Sequence, residues 1–296
     1  MDGLWNIHGD RLKRDAVDRQ RSSIYIQDEI ALINGSLALV PAIRQDHDTQ
    51  YGNHTSKKLA LRYAIDQDQA FLLSYGEGYR APSFKELYLL FENSSVGYVV
   101  EGNDKLTPES SRSVHAQYNL RSGDRWSMSF ATFHNAIKDL IENVLGEQQG
   151  GGIQSYSYEN ISSAETLGVD WSGQTNLGEH WSLDLNYGFL QARDLAHQVA
   201  LAGRSKHSLS YQILFQYEAI SLSHRLKWQS ARAVHESAAF GNDKSLLTGD
   251  MSLSYRQASS WLYSIAIENI GGSAGDLYWK IPPRSLGIAI TWIPKI

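Results

Sequence analysis

The sequence predicts an all-β fold, an antiparallel β-barrel that spans a membrane, and three features of the chain support this prediction. Apolar residues alternate with polar ones over many short stretches, as in Trp181–Phe189 and Leu209–Tyr217. The 296 residues include 16 tyrosines, 8 tryptophans and 24 glycines but 6 prolines, a composition typical of β-strands. The connections between the alternating stretches are short and long in turn.

The alternating stretches predict about thirteen strands. Successive side chains of a strand point to opposite faces, so each stretch has one apolar face and one polar face. The predicted strands lie at 22–32, 36–46, 57–66, 69–78, 110–121, 125–138, 156–176, 181–193, 204–217, 219–231, 245–256, 260–270 and 284–295.

The predicted connections differ in length in a regular order. Short ones lie near 33–35, 66–68, 122–124, 177–180, 217–218 and 257–259, and longer ones at 47–56, 79–109, 139–155, 194–203, 232–244 and 271–283. An up-and-down barrel places alternate connections at opposite ends, and outer-membrane barrels have tight periplasmic turns and long outer loops. A soluble β-sandwich or propeller also has alternating strands and is the alternative at this point.

Composition and charge exclude several other classes of protein. Charged residues make up 20% and the net charge is −5, which excludes both a polycation for nucleic acid and an acidic disordered tail. Without cysteine there is no disulfide framework and no thiolate metal site. The mean hydropathy of −0.37 is that of a soluble protein, but it also fits a barrel in which half of each strand faces a wet lumen.

No catalytic constellation stands out in the chain. There is no Gly-x-Ser-x-Gly elbow and no glycine-rich phosphate loop between a strand and a helix. The histidines in or near predicted strands are expected to face the lumen or the membrane interface: His115, His134, His207 and His224. The sequence therefore predicts that the chain is not an enzyme and has no resident metal or cofactor.

The predicted strand count is odd, which bears on domain organisation. Bacterial single-chain barrels have an even number of strands, and an open sheet leaves two unpaired edges that lipid does not tolerate. With the C-terminus on the periplasmic side, residues 1–20 would be the remnant of an outer loop. We therefore expect residues 21–296 to be the C-terminal part of a larger barrel, or to be completed by another chain.

Several segments resemble the C-terminal half of the TonB-dependent outer-membrane receptors. Gly76–Tyr88 resembles the family's strand end with its Tyr-Arg-Ala-Pro box, and Glu101–Ser111 resembles the segment that leads into the next strand, with Asp104 where proline is usual. Weaker matches lie at 164–170, 204–209, 267–270 and 282–284. The resemblance covers essentially residues 20–296.

The resemblance implies a fold, a location and a set of partners. The thirteen strands would be strands 10–22 of a plugged barrel of about 22 strands, with the N-terminal plug and the early strands absent from this chain. The family sits in outer-membrane lipid of Gram-negative-type cells and takes up a ferric siderophore or a similar scarce nutrient. TonB would act only through the missing part. The alternative is a truncated remnant or a non-transporting surface barrel, used for adhesion or by bacteriocins and phage.

Two of the long connections are expected to bind the ligand. The candidate residues are Arg80, Lys85, Tyr88, Phe91, Tyr98, Tyr278 and Trp279. Aromatic faces and cations suit anionic catecholate-type ferric chelates. For Arg80, a role in anchoring the base of the loop is favoured over contact with the ligand. For Tyr278 and Trp279, a position in the aromatic girdle at the membrane interface is favoured over contact with the ligand.

Haem is a less favoured ligand from the sequence. In the haem-uptake branch of the family a histidine ligand lies between the two boxes, and residues 83–101 contain none. His197 or His235, both in predicted outer loops, could substitute for it.

Overall fold

The computed structural model describes residues 18–93, 97–146, 153–232, 244–257, 260–271 and 282–292. Within these ranges the chain forms one sheet of seventeen strand segments, one short α-helix and one 3-10 turn at Ile33–Gly35. None of the helical segments in these ranges has the length and hydrophobicity of a transmembrane helix. The elements in chain order are β1 Arg21–Gln27, β2 Ile30–Leu32, β3 Leu37–Asp48, β4 Gly52–Ala64, β5 Gln69–Arg80, α1 Phe84–Tyr88, β6 Leu90–Asn93, β7 Tyr98–Glu101, β8 Glu109–Ser122, β9 Trp126–Leu145, β10 Gln154–Leu177, β11 Trp181–Asp194, β12 Val199–Ala200, β13 His207–Tyr217, β14 Ile220–Gln229, β15 Leu246–Gln257, β16 Trp261–Glu268 and β17 Ser285–Trp292.

Thirteen strand positions make up the main sheet, and each pairs antiparallel with the next. β1 and β2 both pair with β3 and together form the first position. The order then runs β3, β4, β5, β8, β9, β10, β11, β13, β14, β15, β16 and β17. The predicted antiparallel sheet of about thirteen strands is therefore confirmed. The four further segments are the second half of the first position and three short strands within loops, β6, β7 and β12.

The sheet has an apolar face and a polar face, and the register keeps each one continuous. On the apolar face, directly paired residues form the row Phe71, Tyr118, Phe130, Trp171, Tyr187, Leu209, Trp228 and Leu247. On the polar face the corresponding row is Asn119, Ser129, Ser172, Asn186, Ser210, Lys227 and Thr248. Because the side-chain period is two, a one-residue slip of any strand would exchange these faces. The polar residues line concavities, so the polar face is the inner one.

The sheet ends in two edges. In the described part of the chain, β17 pairs only with β16, and β1 and β2 pair only with β3. Edge side chains are much more exposed than their neighbours: Ile288 is 74% exposed and Ile24 73%, against 40% for Ile265, which is paired on both sides. The edges therefore present unpaired backbone and an apolar surface.

The loop lengths differ from the predicted order at two places. The connection predicted at 47–56 is a three-residue turn, because Asp48 Oδ1 accepts the N–H groups of Gln50 (2.9 Å) and Tyr51 (3.2 Å) and closes the hairpin early. Most of the connection predicted at 139–155 is strand, since β9 and β10 run on as a long two-stranded extension. The strict alternation of short and long connections is therefore wrong, although the long 79–109 connection is confirmed.

A single strand was predicted at 22–32, but the structure divides it into β1 and β2. Residues 28–29 separate β1 from β2 and lie opposite Pro41 of β3. Asp28 N–H donates to Pro41 O (3.2 Å), but proline has no N–H to return the second hydrogen bond of that pair. At the other end of β2, the short connection predicted near 33–35 is confirmed. In the Asn34-Gly35 turn both residues have positive φ (54° and 84°).

Candidate ligand-binding site

The connection between β5 and β8 is described at residues 81–93 and 97–108, which fold into a compact unit that we call the β5–β8 loop. It begins with α1, whose N-cap Ser83 forms a capping box with Glu86. Ser83 Oγ accepts from Glu86 N (3.3 Å), while the Glu86 carboxylate accepts from Ser83 N (2.7 Å) and Ser83 Oγ (2.8 Å). Five residues are too few for a stable isolated helix, so the cap and the packing below hold it.

Arg80 ties this loop to the sheet. Its guanidinium contacts Glu109 at the start of β8 (2.5 and 2.7 Å) and Glu86 of α1 (3.0 Å). The Glu109 carboxylate also accepts from the backbone of Ile141 in β9 (2.8 Å). Arg80 is half-exposed whereas both carboxylates are mostly buried. The single positive charge of Arg80 is thus shared by two carboxylates where β5, α1, β8 and β9 meet.

The pKa values of Arg80 and Glu86 both shift in the direction that favours the charged form. Hydrogen bonds to Glu109 and Glu86 raise the pKa of Arg80 above its usual value. Burial raises the pKa of the Glu86 carboxyl, but hydrogen bonds from Ser83 and Arg80 outweigh it, so the pKa lies below its ordinary value. Glu86 is therefore ionised at neutral pH and can serve both the cap and the ion pair.

A small apolar core lies beneath α1. It consists of Phe84, Leu87, Tyr88, Leu106 and Ile141. Leu87 is fully buried. Tyr158 of β10 packs against this cluster from the side, so the loop is anchored to the long β9–β10 extension.

Gly102 allows the end of the β5–β8 loop to approach α1 closely. A Cβ at this position would lie 2.6 Å from the backbone C of Leu87 and 2.6 Å from the backbone N of Tyr88. Gly102 N–H donates to Leu89 O (2.6 Å), and Asn103 N–H donates to Glu86 O (2.8 Å). No other residue fits here without moving the helix.

Two asparagines fasten the same loop to β10. Asn103 Nδ2 donates to Tyr158 O (2.9 Å). Asn160 exchanges two hydrogen bonds with the backbone of Thr107, both of 2.9 Å, and also donates to Asp139 O (2.7 Å). The loop is therefore a rigid platform rather than a loose connection.

An aromatic group projects from the β6–β7 hairpin. Phe91 and Tyr98 have ring centroids 6.0 Å apart, and Tyr98 meets Tyr156 of β10 edge-on at 6.3 Å. β7 adds to β10 in parallel, with Tyr98 paired to Gln154. All three rings are half-buried and form one aromatic group at the end of the β5–β8 loop.

A second charged cluster joins the first strand position to the β5–β8 loop. The Asp48 carboxylate is fully buried between Arg19 (3.6 Å) and Arg21 (3.5 Å). Arg19 also donates to Pro82 O (2.8 Å) and lies 5.0 Å from the centre of the Phe84 ring. Sequence analysis missed this cluster, because no local pattern relates Asp48 to residues almost thirty positions earlier.

Aromatic and polar groups next to Asp48 complete this cluster. His54 stacks on Tyr79 with ring centroids 3.7 Å apart. Tyr51 donates to Leu106 O (3.3 Å), and burial raises the pKa of Tyr51 to about 12, so its hydroxyl stays protonated. The turn at Tyr51 is therefore bound to the β5–β8 loop.

The predicted binding residues fall into three groups. Arg80 and Tyr88 lie within the loop's own ion pairs and core. Lys85 is exposed on α1, and Phe91 and Tyr98 are half-buried on the β6–β7 hairpin. Tyr278 and Trp279 lie outside the described residues, as do His235 and most of the predicted remnant at 1–20.

The inner face carries polar concavities away from the loops. One, of about 720 Å³, lies at the short-turn end and is lined by charged residues that include Arg62, Asp68, Arg121, Asp184 and Arg225. A second, of about 310 Å³, adjoins it and contains Asp170 and Lys227 among serines and glycine. Polar and charged residues, among which Arg121 and Asp68 are paired (3.1 Å), suit contact with a polar protein segment, and the described residues include no cluster of metal-ligating side chains.

Comparison with known proteins gives a consistent result. The family model described as "TonB dependent receptor-like, beta-barrel" matches residues 2–270. The haem/hemopexin utilization protein C of Haemophilus influenzae is 28% identical over 197 residues, which are 58% of this chain and 28% of that protein.

Solved structures agree in fold. A variant of the ferric enterobactin receptor of Pseudomonas aeruginosa superposes with a TM-score of 0.74 at 18% identity, covering 94% of this chain and 45% of that one. A siderophore receptor of the same organism gives 0.72 at 16% identity, covering 94% and 49%. These similarities confirm the predicted barrel fold, and the chain spans less than half the length of each of these proteins.

Proposed function

Because the chain belongs to the TonB-dependent receptor-like β-barrel family, we propose that it is the C-terminal part of the barrel of an outer-membrane receptor that takes up a ferric siderophore or a similar iron chelate. The observation that carries this proposal is the two-faced sheet, apolar outside and polar on its concave side, with a rigid loop unit at one end. The names of the related proteins support iron-type uptake: one is a ferric enterobactin receptor, one a siderophore receptor and one a haem/hemopexin utilization protein.

The residues of the β5–β8 loop would have two different roles in ligand binding. Lys85, Phe91 and Tyr98 are accessible and offer a cation and two aromatic faces to an anionic chelate. Arg80 and Tyr88 would act as positioning residues that hold the platform. Tyr278 and Trp279 remain candidates from the sequence alone.

Uptake would also require parts that this chain does not supply. We propose that further strands complete the two edges of the sheet, since unpaired backbone groups are costly in lipid. The polar inner concavities would contact a plug, and TonB would act through that plug. The chain alone should therefore show no heat-modifiable band shift after refolding in detergent, whereas co-production with the completing segment should restore the shift.

The membrane location is tested by a matched pair of substitutions in the middle of β15. Leu253 lies on the apolar face between Leu222 and Ile265, and its neighbour Ser252 lies on the polar face. Arginine on the lipid face near the bilayer centre costs about 2–4 kcal/mol. Leu253→Arg should therefore sharply reduce the amount of protein in the outer membrane, and Ser252→Arg should not. Equal amounts of the two variants would contradict the assignment of the apolar face to lipid.

The transport function is tested by growth on defined iron sources. A strain that lacks the locus should lose growth on at least one ferric siderophore or haem source, and the intact locus should restore it. Unchanged growth on every iron chelate would contradict the proposal and favour a non-transporting surface barrel.

A further inference from the structure

The apolar face of the sheet becomes charged toward its loop end. Along β8 the residues of this face are uncharged over 114–120, and Arg112 lies beyond them. Along β9 they are uncharged over 126–132, and His134 and Lys138 lie beyond them. Both strands are paired on either side at these positions, so the charged surface does not depend on what completes the sheet.

The height of these charges matches the edge of a lipid bilayer. Arg112 pairs with Ala136, which is ten residues beyond Trp126, the first residue of β9 at the short-turn end. At about 3.4 Å per residue and a strand tilt of about 40°, ten residues rise by about 26 Å. The apolar band of an outer-membrane barrel is about 25 Å tall, so in a bilayer these charges would lie among the headgroups.

Two cations converge on the small side chain of Ala136. Arg112 lies directly opposite Ala136, and Lys138, the next residue of β9 on this face, is diagonal to Arg112. Diagonal neighbours on one face of a sheet are about 7–8 Å apart, within reach of long side chains. Both cations are exposed, and neither forms an ion pair with a described residue. A methyl group between two such cations leaves a gap that a phosphate group can enter.

The acidic residues of this surface are held by other groups. Glu77 accepts from the Tyr75 hydroxyl (3.0 Å), and Glu165 lies 3.5 Å from His134 Nε2. The cross-strand row through Arg112 consists of Glu77, Arg112, Ala136, Glu165 and Arg193. With Lys138 on β9 and Lys57 on the same face of β4, four cations outnumber two carboxylates here. The surface therefore favours an anionic partner.

Aromatic rings border the charged row on the side of the apolar band. Tyr75 lies two residues before Glu77 on β5 and directs its hydroxyl toward that carboxylate. Phe189 lies four residues before Arg193 on β11, and Lys206 Nζ is 5.7 Å from the centre of its ring. Aromatic residues are enriched where a membrane protein crosses from acyl chains to headgroups. The rings thus support the same height independently of the strand geometry.

We propose that this surface binds the phosphate group of an anionic lipid in the outer leaflet, with Arg112 and Lys138 as its main contacts. The planar guanidinium of Arg112 can contact two phosphate oxygens, and Lys138 adds a point charge. The acyl chains would pack on Val114 and Leu167, which are exposed in the next row toward the short-turn end. The inference rests on the proposed membrane location, and it involves no residue of the β5–β8 loop.

The test uses the protein purified from outer membranes together with whatever completes it. Native mass spectrometry in detergent measures binding of bisphosphorylated lipid A and of the same lipid with both phosphates removed. The wild type should bind the phosphorylated lipid more tightly. A variant with both Arg112→Gln and Lys138→Gln should bind it about 30-fold more weakly, because each cation near an anionic lipid surface contributes about a factor of five. A variant with Arg112→Lys and Lys138→Arg keeps both charges and should retain most of the affinity.

Lys58→Gln is the matched control on the opposite face. Lys58 is exposed and pairs with Gly76, and this row continues through Ser113 and Asn135, directly beside the row of Arg112. The control therefore removes one cation at the same height but from the polar face, and lipid binding should be unchanged. Excess inorganic phosphate should not displace the lipid, because the acyl chains add contacts that the free ion lacks.

Three outcomes would overturn the lipid inference. They are wild-type affinity in the double glutamine variant, an equal loss in Lys58→Gln, and displacement of the lipid by inorganic phosphate, which would indicate a free-anion site. Each of these leaves the uptake function intact if the same strains still grow on the iron source that the locus supports. If the wild-type protein is absent from the outer membrane, the proposed function and the lipid inference fail together.

Discussion

Replacing Gly102 by alanine tests whether the β5–β8 loop is a rigid platform. The new Cβ would lie 2.6 Å from backbone atoms of Leu87 and Tyr88, where carbon contacts need about 3.5 Å, so α1 must move by about 1 Å. The obstacle is backbone, which cannot rotate away as a side chain can. The helix would therefore have to lift from its core.

The expected cost follows from the contacts that the movement disturbs. Overpacking of a well-packed site costs about 1–3 kcal/mol, and each of two weakened hydrogen bonds about 1 kcal/mol, so local stability should fall by about 3–5 kcal/mol. The two hydrogen bonds are Gly102 N–H to Leu89 O and Asn103 N–H to Glu86 O. Because about 1.4 kcal/mol is a factor of ten, the loop should open at least about 100 times more often.

Hydrogen exchange followed by mass spectrometry measures this opening directly. Peptides covering residues 84–106 should exchange about 100-fold faster in Gly102→Ala, while strand peptides should be unchanged. Gly76→Ala is the matched control, since nothing lies within 4 Å of a Cβ at that β5 position. Equal protection of the loop in the two variants would refute the close-packing argument.

Three further predictions concern the same loop. Arg80→Met should destabilise it by about 1–3 kcal/mol, because Glu86 and Glu109 lose their cation; proteolysis rates report this, and equal resistance would contradict it. Leu87→Ala should reduce the stability of the loop by about 2–5 kcal/mol in the same assay, whereas Lys85→Ala, at an exposed position, should leave the stability almost unchanged. The pKa of Glu86 is lower in the folded loop than in the unfolded chain. Its ionised carboxylate therefore stabilises the loop fully above the unfolded pKa of about 4.3, and this stabilisation is lost as pH falls through the folded pKa. Loop protection should therefore decline below about pH 4, and Glu86→Gln should remove that decline.

The regular part of the fold could be predicted from local sequence. Alternation in Trp181–Phe189 places Trp181, Leu183 and Leu185 on one face, and the structure keeps them there, paired with Phe215, Ile213 and Tyr211. Period-two patterning is a property of each strand alone, and an antiparallel order needs only that neighbours in sequence pair in space.

The loop unit could not be predicted as a whole, although one signal for it was present. Ser83 followed three residues later by Glu86, directly after Pro82, is the sequence signature of a helix start, and it marks α1 within a segment interpreted as a loop. In contrast, the Arg19–Asp48 contact and the parallel pairing of β7 with β10 join residues far apart in sequence. Such contacts depend on the assembled sheet and leave no local pattern.

The direction of the two edge strands limits what can close the cylinder. Twelve antiparallel steps separate β1 from β17, so the two edges point the same way. A second copy of the described sheet in the same membrane orientation would therefore meet the first only through parallel seams. A regular antiparallel closure needs an insert with an odd number of strands, whose first and last strands both run opposite to the two edges.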